Sequence, residues 1–248
     1  MIKVTVLESI SQLTILDSIT LYGSTAGAIP ASLEHIRQVI ASVQYPLPEG
    51  IEVIILPFII DRIDDMFVPA DGVAAYATRK IYLSAFHRFD FSTPAHMRLG
   101  WARTTLHELG HMVHYAHLPA PAFGVPTGLW DVFQQVGGMR IANRTYDSSL
   151  AEAFAEWWRL LFSPLTQTLP HRQNLTFRIG IKEWMLSLTG ALALAINHNR
   201  AYQRGFAFVL ENTPIIHRGR TFVPLRFVSE AVGKRVEWRD PHTIIVWE

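Results

Sequence analysis

Thr104-Thr105-Leu106-His107-Glu108-Leu109-Gly110-His111-Met112-Val113 is the stretch on which the reading of this chain turns. On a helix, residues four apart differ by about 40° in azimuth, so His107 and His111 project from one face, one turn apart. That spacing lets two imidazoles share one tetrahedral cation, and Zn2+ is the cation such a pair suits. Glu108 follows the first histidine directly, where a carboxylate can reach a metal-activated water as general base. Around these three the window is uncharged, as expected of a helix buried beneath a site. A chance pattern on a solvated helix would normally carry Lys or Arg here. Gly110 lets another element approach closely.

Two histidines leave a third ligand to find. His117 has the spacing of a metzincin third histidine, but His114 stands where that pattern needs the glycine that turns the chain. On an unbroken helix His117 lies about 240° round from His111 and faces away from the metal. Glu152, in Leu150-Ala151-Glu152-Ala153-Phe154-Ala155-Glu156, is the better candidate, with room for a loop and a returning helix between it and His111. Glu152 and Glu156 share one helical face, so Glu152 can bind the metal while Glu156 accepts a hydrogen bond from a ligand histidine. Ala151, Ala153 and Ala155 are small enough for close helix packing. His114, near the metal-facing stripe, is a further candidate for the layer behind the ligands, with a packed histidine as the plain alternative.

Working outward, Ser92-Thr93-Pro94 predicts the start of a long helix running to about His117. Leu33, Ile36, Val39, Ile40 and Val43 have helical spacing after Pro30, and Ile51–Leu56 reads as a buried strand. Residues 2–7 and 13–22 read as strand or short irregular segments. A strand-like run follows Asp71-Gly72, from Val73 to Ser84. Residues 148–162 read as a helix, with further helical segments at 163–170 and 180–198. The character changes near residue 205 to short strands around one helix. The expected organisation is therefore residues 1–203 and a small module at 204–248.

Composition bounds the chemistry. Hydrophobic residues are 49% and charged ones 17%, enough apolar mass for a real core. A formal charge of +1 makes no electrostatic case for nucleic acid. With no cysteine, any metal must be held by His, Asp or Glu. No run of about 20 apolar residues is present, so no membrane span is expected. Met1–Thr5 does not begin a signal peptide, so a secreted protein would be present in processed form.

The pairing of His107–His111 with Glu-x-Phe-Ala-Glu at Glu152–Glu156 resembles the gluzincins related to the catalytic domain of anthrax lethal factor. That group includes the secreted Pro-Pro endopeptidases of Gram-positive bacteria. The resemblance covers residues 50–165. It implies His107, His111 and Glu152 as zinc ligands and Glu108 as catalytic base. It also implies an oxyanion-stabilising tyrosine, for which Tyr146 is the candidate, six residues before Glu152 where the family has seven. An edge strand that pairs with extended substrate is implied too, and Ala75–Ser84 is the candidate for it. Cleavage at Pro-Pro bonds of a proline-rich protein or peptide is implied by the resemblance alone.

From Pro214 onward, Gly219-Arg220-Thr221-Phe222-Val223-Pro224-Leu225-Arg226-Phe227-Val228-Ser229-Glu230-Ala231-Val232-Gly233 and Val236-Glu237-Trp238 resemble the copper amine oxidase N-terminal-like module. Despite that name, no copper ligand set is evident. The resemblance implies an accessory module of secreted or cell-surface proteins, with Phe222, Leu225, Phe227, Val228 and Val232 as its small core.

The expectation is thus an α+β chain: a mostly helical, zincin-like metallopeptidase domain with a small sheet, followed by a small α+β module that could contact the cell surface. Two rivals stand beside it, a non-catalytic surface-binding protein with a degenerate protease domain and an intracellular regulatory metallopeptidase.

Overall fold

The computed structural model describes residues 2–6, 12–15, 19–24, 33–63, 70–84, 94–118, 128–138, 150–166, 180–240 and 243–247. The chain is mixed α+β, and it divides into two compact units. The first comprises Met1–Pro121 with Asn143–Leu175, the second Ala122–Ala142 with Thr176–Glu248.

The first unit is built on strands β1 (Lys3–Val6), β2 (Gln12–Ile15), β3 (Ile19–Ser24), β4 (Glu52–Ile55), β5 (Ile59–Ile63), β6 (Gly72–Ala75) and β7 (Lys80–Leu83). One sheet has the order β1-β4-β7-β6; β1, β4 and β7 run parallel and β6 returns antiparallel to β7. A second sheet, β2-β3-β5, is antiparallel. Val53, Ile54, Ile55, Ile81, Tyr82 and Leu83 are buried, as expected of central parallel strands covered on both faces.

This order corrects the expected edge strand. The run read as one strand over Ala75–Ser84 is broken by a 3-10 turn at Tyr76–Thr78, closed by Arg79 in the left-handed region at φ 54°. Its second half, β7, is an interior strand, while the edge is β6, whose residues are all half-exposed. Apolar weight at Ile81 and Leu83 marked burial, and burial belongs to the middle of a sheet.

Helices α1 (Leu33–Ala41), α2 (Pro94–His117) and α4 (Leu150–Phe162) complete the first unit. The predicted long helix is α2 and the predicted helix over 148–162 is α4. Of the expected segment at 163–170, Pro164–Thr166 forms a single 3-10 turn, and 167–170 lie outside the described residues. Leu106, Leu109, Val113, Phe154, Trp157 and Trp158 are buried, and Tyr45 sets its ring edge-on to Trp158 and Phe162 at 5.7 and 4.8 Å.

Helices α2 and α4 pack closely at Gly110, where an added Cβ would lie 2.8 Å from Ala155 Cα and 2.9 Å from its carbonyl oxygen. Gly110→Ala would gain about 1 kcal/mol of helix propensity. Backbone cannot step aside as a side chain can, so the overlap wins. A net loss of about 1–2 kcal/mol is expected from the urea-unfolding midpoint, the cost of overpacking exceeding the helical gain.

The second unit holds α3 (Leu129–Gly137), α5 (Ile181–Ser187), the sheet β10-β9-β8 (Leu192–Leu194, Arg200–Gln203 and Phe206–Val209 for β8, β9 and β10), hairpin β11–β12 (Ile215–His217, Arg220–Phe222), α6 (Leu225–Ala231) and hairpin β13–β14 (Arg235–Asp240, Thr243–Trp247). The helix expected over 180–198 ends at Ser187. Gly190 takes φ 91° and Asn197 φ 59°, which no helix tolerates, and the alternating Leu192-Ala193-Leu194 becomes β8. Helix α3 was not anticipated; its signal is Trp130, Phe133 and Val136 at helical spacing, stopped by left-handed Gly138. Trp184 anchors α5, meeting the Phe133 ring at 5.3 Å and donating its indole N–H to the Gly205 carbonyl at 2.7 Å.

The expected boundary between residues 203 and 204 falls at the turn joining β9 to β10, so this sheet runs through it. The expected small core is also corrected. Phe222, Leu225 and Val232 are exposed, at 51%, 42% and 61%, and Phe227, half-buried, meets Phe208 at 5.9 Å. Two separate two-stranded hairpins offer too little surface to enclose these side chains. Among the described residues no helix is long and apolar enough to cross a membrane.

Candidate metal centre

Helix α2 presents His107 and His111 one turn apart, and α4 brings Glu152 against them through the Gly110–Ala155 crossing. His107 Nε2 lies 3.0 Å from Glu152 Oε2, and His111 Nε2 lies 3.1 Å from Glu152 Oε1 and 3.1 Å from His107 Nε2. The two rings stand nearly perpendicular, at 84°. Among the described residues these three form the group that could hold a metal.

The donor set fits zinc. With metal–nitrogen distances of about 2.0–2.1 Å and tetrahedral angles, neighbouring ligand atoms sit about 3.3 Å apart. Both imidazoles turn Nε2 inward, the nitrogen each would offer to a metal. Burial pushes the Glu152 carboxyl up, but the hydrogen bonds from His107 and His111 outweigh it and hold the group well below the usual range. It is a ready anionic ligand.

Behind His107 lies Glu156, with Oε1 3.7 Å from His107 Nδ1. Arg103 Nη2 donates to Glu156 at 3.0 Å and Arg159 Nε at 2.8 Å. Burial opposes its charge, while His107, Arg159 and Arg103 prevail and keep it ionised. Sequence reading missed both arginines. Their signal was there: Arg103 stands one turn before His107, and Arg159 interrupts the apolar run Trp157 to Leu161.

His114 is fully buried and stacks on Tyr115 at 4.4 Å, with Phe154 at 6.1 Å and His111 at 6.3 Å. Burial pushes its pKa down to about 3, so it is neutral at neutral pH. His117 ends α2, outside the ligand group. Tyr146 lies outside the described residues. A different tyrosine borders the site. Tyr115, at i+4 from His111, sets its ring 6.5 Å from that imidazole and 5.2 Å from Tyr76 in a stacked pair. Tyr76 also lines a cavity of about 280 Å³ with Pro48, Ile51, Arg79 and Met112.

Glu108 is 6% exposed and faces the edge strand, where its carboxylate accepts the Ala74 backbone N–H. Burial raises its pKa to about 7; His111 opposes the rise and Glu152 adds to it. In metal-free protein the folded state therefore keeps this proton up to about pH 7, while the unfolded chain releases it near 4.5. The folded state binds more protons across that window, so this group makes stability fall as pH rises from 4.5 to 7 and level off above. Glu108→Gln is expected to remove that slope and to stabilise the metal-free protein at pH 8 by about 3 kcal/mol, read from urea unfolding across pH.

Residues 190–246 match the family model of the copper amine oxidase N-terminal domain. The C-terminal part of the chain is thus similar to that family, over a span that begins before residue 204. Comparison with curated proteins and with solved structures finds no match.

Proposed function

We propose that the protein is a zinc-dependent endopeptidase of the gluzincin type. The observation that carries this reading is the convergence of His107 Nε2, His111 Nε2 and a Glu152 carboxylate within 3.1 Å of one another, with Glu108 buried beside them. Zinc held there would polarise a carbonyl and lower the pKa of a bound water. Glu108 would accept a proton from the attacking water and return it to the leaving nitrogen. Glu156, fixed by Arg103 and Arg159, stands 3.7 Å from His107 Nδ1, beyond hydrogen-bond reach, and would act on that ring through its charge.

The sheet β1-β4-β7-β6, with its antiparallel edge beside the metal-binding helix, supports a zincin-like reading of the first unit. Among the described residues no strand pairs with the outer edge of β6, on which an extended substrate would add as a strand. Tyr146 remains the tyrosine proposed for the oxyanion, and cleavage between prolines remains the specificity the resemblance implies. A secreted or cell-surface setting for the enzyme is what the C-terminal resemblance implies. A degenerate, purely binding protein would have no need of an intact Glu108 beside an intact ligand set.

Zinc-loaded protein is expected to cleave members of a randomised peptide library that includes proline-rich sequences. Chelation should abolish cleavage and added zinc restore it. Stoichiometric zinc with no peptide cleaved would sink the reading.

A further inference from the structure

Gly72 opens the edge strand β6, and its backbone is not in the left-handed region, so no conformational demand calls for glycine there. Space does. A Cβ built on residue 72 would lie 2.8 Å from Thr104 Cγ2, 2.9 Å from Glu108 Cγ and 3.2 Å from Glu108 Oε1. The side chain of the base thus fills the volume that any other residue at 72 would occupy.

The pairing of β6 explains how the base is held. Ser84 N–H donates to the Asp71 carbonyl at 2.9 Å, which places residues 71, 73 and 75 in the ladder with β7 and turns the backbone groups of 72 and 74 to the free edge. Ala74 N–H, one of those free-edge donors, meets the Glu108 carboxylate. Gly72 and Ala74 together form a seat: one supplies the space, the other the hydrogen bond.

We infer that Gly72 is the positioning residue for Glu108, setting where the base stands relative to the metal ligands. The inference rests on the peptidase reading for its catalytic consequence, but the seat itself does not. At Gly72→Ala, something must move. Thr104 is branched at Cβ and fixed on α2, which is clamped against Ala155 at Gly110. The Glu108 side chain is the freer of the two, so it turns away and releases Ala74 N–H. A displacement of about 1 Å at a catalytic group can cost about 100-fold in rate.

The test uses the full zinc-loaded chain, with a peptide that the wild type cleaves. In Gly72→Ala the zinc content should stay at the wild-type level. Its kcat should fall about 30- to 100-fold with KM little changed, since the base moves and the ligands do not. Hydrogen exchange at the Ala74 amide should speed up at least about tenfold, as it should in Glu108→Ala. Adding Thr104→Ser, which removes the 2.8 Å neighbour, should recover part of the lost kcat.

Wild-type kcat and wild-type Ala74 protection in Gly72→Ala would overturn the inference. So would a raised KM with unchanged kcat, which would make Gly72 a substrate contact instead. Should Gly72→Ala fail to fold, the Glu108→Ala exchange measurement decides, and unaltered Ala74 protection there counts against the seat. If the wild type binds zinc and cleaves nothing, the peptidase reading fails while the exchange measurements still judge the seat.

Discussion

Glu152→Ala is expected to cost the protein its zinc. Two imidazoles on one helix hold a divalent cation weakly by themselves, and the carboxylate from α4 closes the cage at 3.0 and 3.1 Å. Even residues one layer behind the ligands typically change metal affinity 10- to 100-fold, so loss of a direct ligand should exceed about 100-fold. The effect reaches stability as well. Zinc at a thousand times its Kd stabilises the folded chain by about 4 kcal/mol, and the variant should forfeit most of that. Competition with a chelator of known affinity reads the first quantity, and thermal unfolding with and without zinc reads the second. Unaltered zinc affinity in Glu152→Ala would mean that another side chain closes the cage.

Glu108→Ala should do the reverse, keeping zinc and losing turnover. The carboxylate is no part of the three-ligand group, so metal content should match the wild type. A positioned general base is typically worth about 10²–10⁴ in rate, and that is the expected fall in kcat. Glu108→Gln sharpens the point. Its amide oxygen can still accept the Ala74 N–H, but it cannot take a proton from water. Equal losses in the two variants would assign the effect to proton transfer; wild-type kcat in either would remove Glu108 from the mechanism.

The parts of the site legible in the sequence were those that helical periodicity dictates. His107 and His111 had to share a face once α2 was a helix, and Glu152 and Glu156 likewise on α4. Bringing the two helices together needed one more residue, Gly110, whose lack of a side chain is also visible in the sequence. What lay between elements was harder. The edge role passed to Gly72–Ala75 because strand order depends on non-local pairing, which Ile81 and Leu83 report only as burial. The grip of Arg103 on Glu156 links residues on different helices, so no window of sequence contains it, whereas Arg159 stands one turn after Glu156 on α4 itself. In the C-terminal part, the match over 190–246 was legible from Gly219 to Gly233, yet of the apolar residues read as a core Phe222, Leu225 and Val232 are exposed and Phe227 and Val228 only half-buried.

X-ray absorption at the zinc edge of the purified protein tests the centre most directly. The predicted result is one zinc per chain, with two imidazole nitrogens and carboxylate or water oxygens at about 2.0–2.2 Å, and an altered shell in Glu152→Ala. A chain that takes up no zinc, or one whose zinc shell is untouched when Glu152 is removed, would contradict it.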